Sequence, residues 1–413
     1  METCRELKKK MNLHKTVVIL LALLLAAMAM VPLVSADSPD RQGDKTPVTL
    51  DYATKVAQLH LNDVAAGLSS FSEWTGANIE YDMTFYDTDG YVNAYSFTVT
   101  NDGKKQGFIL VSGIKEEYPI LEFGKGEIIP DNAKENANRM ATNVAEKKSV
   151  NVNSVKYLYL GPTFYYAQYA LTDSMQKSEE DVTIDLFNQN EVDLKDDRVS
   201  IASMRADSES DVVSIKEAWS SIDEKIILLN QGIAVPASPL GTDTIYGVPL
   251  YDQPSGYPGS CAPTASGMIL SYWRSHGYPN FPSNGDTLIG ELYSAMNTDP
   301  VDGTDDADVE PGIESVSQDH GYSIDGLYVD RYTISFTGLK TEIAADRPIH
   351  LIMHGASPAL GQTIPYGHHS VAVVGWADGA FDALEINDGW STSQSRYIKY
   401  GNWTYSNAVY IQP

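Results

Sequence analysis

A chain of 413 residues with two cysteines carries no disulfide framework and no multi-cysteine zinc site. The first of them, Cys4, belongs to a segment that reads as an address rather than as structure. Arg5, Lys8, Lys9, Lys10 and Lys15 precede an uncharged run from Val17 to Val34, and Val34-Ser35-Ala36 is a small-x-small site. Basic, then apolar, then cleavable is the order of a secretory signal peptide. The run is short for a membrane span. The expectation is a leader over 1–36, a secreted or cell-surface product, and no stable membrane association after cleavage. Cys261 is then the sole thiol of an exported protein. Such a thiol is a liability unless it is buried or used. The fold must rest on hydrophobic cores, and 43% hydrophobic with 10% aromatic residues can supply them.

Charge narrows the partners. With 55 acidic and 29 basic residues the formal net charge is −26. Nucleic acid and anionic membrane surfaces both attract basic patches, so neither is an expected partner.

The chain divides by pattern into four parts. After the leader, apolar residues at Ala57, Leu61, Val64, Leu68 and Phe71 predict an amphipathic helix. Alternation at Ile79, Tyr81, Met83 and Phe85, and again at Tyr95, Phe97 and Val99, predicts strands. Asp87-Thr-Asp-Gly90 and Asn101-Asp-Gly103 read as turns, and 107–112 and 119–123 continue the pattern. This is a helix followed by an antiparallel meander, an α+β module over 37–172. Residues 173–241 read as an acidic linker with one possible helix, on which Val212, Ile215, Trp219, Ile222 and Ile226 share a face. A further domain is expected over 242–413.

That last domain holds the candidate chemistry. A Gly- and Pro-rich loop, Pro254 to Ser260, leads into Cys261-Ala-Pro-Thr-Ala-Ser-Gly-Met-Ile-Leu-Ser-Tyr-Trp273. Pro263 suits a first helical turn, which sets Cys261 at a helix N-terminus, where backbone N–H groups favour a thiolate. His369 opens the apolar run Ser370-Val-Ala-Val-Val-Gly-Trp376, a buried strand with Arg347–Met353 as its neighbour. Leu384-Glu-Ile-Asn387 reads as another strand, ending in an amide able to accept from the imidazole N–H.

His369–Trp376 resembles the histidine strand of papain-like cysteine peptidases, and Leu384–Trp390 their asparagine motif, especially that of the streptopain group. Val248–Trp273 resembles the Gln…Cys segment of peptidases related to bacteriocin-leader processing enzymes. The resemblance covers roughly 245–413. It implies a papain-like fold, with Cys261 as nucleophile and His369 as base and acid, six residues before Gly375. It makes Asn387 the residue orienting the imidazole, and Gln253 an oxyanion donor beside the Cys261 N–H. Asp388 follows where the family often has tryptophan, so Asp388 is the alternative orienter. Ala94–Phe97, Gly107–Gly113 and Pro119–Phe123 resemble the streptopain prosegment and related protease inhibitors. That resemblance makes the N-terminal module an intramolecular inhibitor.

The reading that follows is a secreted cysteine endopeptidase made as an inhibited precursor, acting on proteins or peptides without metal or cofactor. The alternatives are a papain-fold amidase or acyltransferase on cell-wall or small peptides, and a catalytically inactive binding module. His368 competes with His369 for the catalytic role. His350 and His354 share a strand face but have no evident third metal ligand. Asp299–Glu310 reads as a solvated acidic loop without EF-hand spacing, and Asn402-Trp-Thr404 is a glycosylation sequon.

Overall fold

The computed structural model describes residues 45–173, 181–187, 189–194, 209–238, 240–354, 368–379, 382–390, 395–401, 403 and 405–413. The expected leader lies outside the described residues, as do much of the acidic stretch and both ends of the sequon. The first helix, α1 (Leu50–Gly67), starts where the Thr49 hydroxyl accepts from Tyr52 N–H and buries Ala53, Val56, Ala57, Leu61 and Val64. Leu68 and Phe71 fall just beyond it, Phe71 in a short 3₁₀ helix, Ser69–Trp74. The meander follows as β1 (Asn78–Tyr86), β2 (Val92–Asn101), β3 (Lys104–Ser112) and β4 (Ile120–Lys125). Asp102 and Gly103 both take positive φ, 50° and 70°, the geometry that a two-residue Asp-Gly hairpin requires.

Two features of this module are not foreseen. Helix α2 (Asp131–Lys148) buries Ala133, Ala137, Ala141 and Ala145. Their i, i+4 spacing makes a stripe small enough to lie close on the sheet beside Phe85, Leu110 and Tyr165. The module also extends beyond residue 172. After β5 (Asn151–Tyr159) and β6 (Tyr165–Thr172), strands β7 (Val182–Asp185) and β8 (Asn190–Val192) add to the same sheet. The acidic-linker boundary at 173 is therefore corrected. Local charge suggests solvent, but Val182, Ile184 and Leu186 are buried in the module's core. The expected linker helix is α3 (Glu209–Asn230), with Ile215, Trp219, Ile222 and Ile226 buried against α1 and the meander.

In the C-terminal part, β9 (Gly241–Thr244) precedes α4 (Cys261–Ser275), α5 (Gly285–Ala295) and α6 (Asp306–Asp319). Then come β10 (Asp325–Val329), α7 (Phe336–Ile343), β11 (Ile349–His354), β12 (His368–Asp378), β13 (Ala383–Asn387), β14 (Arg396–Lys399) and β15 (Tyr405–Gln412). The strands β10-β15-β11-β12-β13-β14 pair in that order, antiparallel throughout. On one face α4 packs Met268 and Ile269 against Ile352, Ala372 and Val409. On the other, Leu339 and Ile343 of α7 meet Ile349, Leu351 and Val371. The architecture is α+β, as expected.

The two parts share one sheet. Strand β14 pairs with β4 of the N-terminal module, setting Arg396 opposite Gly124, Tyr397 opposite Phe123 and Ile398 opposite Glu122. Phe123 and Tyr397 stack with their centroids 4.7 Å apart. Among the described residues, no helix is long and apolar enough to cross a membrane.

Candidate active site

Cys261 is the first residue of α4, as the sequence predicts, and it is buried. The loop before it is tightly held. Gly259 has φ +72°, and a Cβ there would lie 2.8 Å from the Asp299 carbonyl oxygen, so the approach to the helix needs glycine. Burial pushes the Cys261 thiol up. The backbone N–H groups of Ser370, Ala262 and Cys261 itself pull it back down. Ser370 follows His369 on β12, so the sulfur lies beside the histidine strand.

His369 is buried, and its Nε2 lies 2.9 Å from the Asp388 carbonyl oxygen. A carbonyl only accepts, so the proton is on Nε2 and the lone pair is on Nδ1. Among the described residues Nδ1 has no hydrogen-bond partner, so its lone pair is free of protein donors there. Burial lowers the imidazole to about 3, against the pull of the Asp388 carbonyl. His368 faces elsewhere. Its ring is stacked 5.8 Å from that of His354, and its Cε1 leaves no room for a Cβ on Gly303.

Asn387 is not where the resemblance puts it. Its Oδ1 accepts from the Ser395 hydroxyl at 2.9 Å, and its Nδ2 donates to the Pro249 carbonyl at 3.3 Å. The imidazole is met instead by the next residue. Asp388 also acts otherwise than expected, through its backbone carbonyl rather than its carboxylate. The turn at Gly389, φ +73°, carries the chain away after β13. The Gly389 carbonyl in turn accepts from Gln253 N–H at 3.0 Å. Gln253 is thus brought to the same loop that meets His369, and it is half-buried there.

Residues 245–412 match the Peptidase_C39 like family. The C-terminal part of the chain is a cysteine peptidase domain similar to that family. The chain is also similar to a solved fragment of prointerpain A from Prevotella intermedia, determined as a cysteine-to-alanine mutant. The identity is 11% and the TM-score 0.40, over 81% of this chain and 98% of that one. No curated protein matches the chain.

The peptidase domain's histidine is covered by a residue that pattern reading missed. Phe187, in the β7–β8 turn of the N-terminal module, lies 4.2 Å from the His369 ring and 4.1 Å from Trp390, centroid to centroid. The turn is pinned by Phe187 N–H to the Asp185 carboxylate and by Leu186 N–H to the Tyr165 carbonyl. A lone phenylalanine in an acidic stretch gives no signal in sequence, because its role depends wholly on where the sheet carries it. The peptidase domain's other histidines have local partners. His350 Nδ1 meets the Ser266 hydroxyl and His354 Nε2 meets Asp306, each at 2.8 Å. Among the described residues, no group of three or more His, Cys, Asp or Glu could hold a metal ion. The acidic loop is held by its own backbone. Asp299 accepts from Val301 and Asp302 N–H, and Asp305 caps α6.

Proposed function

We propose that the chain is an exported, masked precursor of a cysteine endopeptidase in which Cys261 is the nucleophile and His369 the base and acid. The observation that carries this reading is the position of Phe187 over His369. Burial there favours a neutral thiol and a neutral imidazole, whereas attack needs the thiolate and imidazolium. Departure of the β7–β8 turn would rehydrate the ring and restore the charged pair. His369 Nδ1 then takes the thiol proton, and the sulfur attacks the scissile carbonyl carbon. The oxyanion is stabilised by the Cys261 N–H and the Gln253 amide. The imidazolium returns its proton to the leaving amine, and water releases the acyl group from sulfur by the same steps. The Asp388 carbonyl orients the ring throughout. The substrates are proteins or peptides, the inhibitor is the chain's own N-terminal module, and the leader directs export.

The test uses the full chain. Cys261→Ala should abolish peptide hydrolysis and any self-cleavage while the melting temperature holds. N-terminal sequencing of the secreted wild-type protein should find the leader gone and a second cut ahead of α3. Activity above about 1% in the Cys261→Ala protein would remove the cysteine-peptidase mechanism.

A further inference from the structure

We propose that Arg396 is a positioning residue of the peptidase, holding the Asp388 carbonyl against His369 by gripping the Asp388 carboxylate from behind. This rests on reading Cys261 and His369 as the reacting pair. Asp388 is almost fully buried and is engaged at three atoms. Its carbonyl oxygen meets His369 Nε2 at 2.9 Å, Oδ1 accepts from Trp390 N–H at 2.9 Å, and Oδ2 pairs with Arg396 Nε at 2.7 Å. The first contact faces the reacting groups, and the other two fix the residue that makes it. The Trp390 bond closes a local turn, which leaves Arg396 as the long-range support.

Arg396 suits that task. It opens β14, is 6% exposed, and its guanidinium lies over the Phe108 ring at 5.4 Å and over the Trp390 ring at 5.6 Å. A planar fork pinned by two rings and a carboxylate has little freedom to drift. Its far side reaches the N-terminal module, where Nη1 lies 3.4 Å from Glu122 Oε2. Glu122 has other partners, the Thr163 N–H among them. Among the described residues, Arg396 is the cation paired with Asp388. The closer contact is with Asp388, within the peptidase domain, while Phe108 and Glu122 brace Arg396 from the module.

The consequence is kinetic. The Asp388 carbonyl favours the protonated imidazole. In a thiolate–imidazolium pair, the alkaline limb of the rate profile is loss of that proton. A carbonyl released from its position would let the imidazolium deprotonate at lower pH, and would leave the ring less well aimed. The experiment compares full-length Arg396→Gln, Arg396→Lys, Glu122→Gln and Cys261→Ala, assayed as made and after any self-processing on a fluorogenic peptide. Arg396→Gln should lower kcat on the order of 10²-fold with KM little changed, the scale of a misaimed reacting group. Its alkaline limb should move to lower pH. Arg396→Lys should recover part of both, and Glu122→Gln should keep the wild-type limb. If Arg396→Gln folds and keeps wild-type kcat and limb, the proposal fails. Should Arg396→Gln not fold, an unmoved limb in Arg396→Lys overturns it equally. It also fails if Glu122→Gln shifts the limb as far as Arg396→Gln, because the effect would then be structural. An active Cys261→Ala protein would sink the reacting pair and this proposal together. A dead Cys261→Ala beside normal Arg396 variants would sink this proposal alone.

Discussion

The proton on His369 is fixed by a backbone carbonyl, and that assigns Asn387 a different task from the one its motif implies. Asn387 ties the end of β13 to Ser395 and to the Pro249 carbonyl. Asn387→Ala should therefore lower the melting temperature, at a cost of about 1–3 kcal/mol for polar groups left unpaired, and leave the pH profile of hydrolysis in place. Gln253→Ala should do the reverse, with kcat down about 10²–10³-fold, an unchanged melt, and Cys261 still alkylated by iodoacetamide. A kinetic loss in Asn387→Ala larger than that in Gln253→Ala would return the orienting role to the asparagine. The places of Cys261 at a helix start and of His369 on a buried strand were legible in the sequence, because both have local signatures. The acceptor for His369 was not legible. Which atom meets the ring is set by the φ of Gly389 and by Arg396, and neither leaves a trace in spacing.

Strands β7 and β8 show what a short element can do when it is well braced. Their pairs Thr183–Val192, Ile184–Glu191 and Asp185–Asn190 present a turn whose Phe187 meets both His369 and Trp390. An aromatic contact is worth about 0.5–1.5 kcal/mol beyond its buried area, which corresponds to up to about tenfold in an opening equilibrium. Phe187→Ala in the full chain should therefore speed iodoacetamide alkylation of Cys261 by up to about tenfold. An unchanged rate would mean that Phe187 does not guard the site. Elements with a regular period were readable from sequence, among them α1, α4 and the strands β1 to β4. Helix α2 escaped notice because its buried stripe is alanine. Alanine adds little to a hydrophobic pattern, and the stripe works through closeness of approach rather than apolar bulk.

At the scale of the molecule, buried histidines make stability respond to acid. His350 is fully buried and is lowered to about 3, and His60 and His369 are likewise near 3, with His368 near 4. The free value is about 6.5, so below that pH the unfolded chain binds protons that the fold refuses. Each such group removes stability as pH falls from 6.5 toward its folded value, by about 1.4 kcal/mol per pH unit. Glu122 and Glu385, raised by burial, act in the opposite sense. Comparing variants isolates one group. His350→Asn keeps an amide where Nδ1 meets Ser266 and no longer titrates. Relative to wild type it should gain about 1.4 kcal/mol per unit as pH drops from 6.5 to 4, read from denaturant melts. A difference that stays flat with pH would show that His350 takes its proton in the fold as readily as in the unfolded chain. The seam between the two halves has its own consequence. Its strand edge pairs Arg396 with Gly124, Tyr397 with Phe123 and Ile398 with Glu122, and Phe187 and the buried face of α3 add to it. Within one chain that contact is also tethered, at an effective concentration on the order of millimolar. A single cut between residues 194 and 209 would turn that docking into a meeting of two separate molecules. On the masked-precursor reading, dilution into open medium would then finish the release that cleavage begins, and the same nicked protein kept concentrated would stay silent.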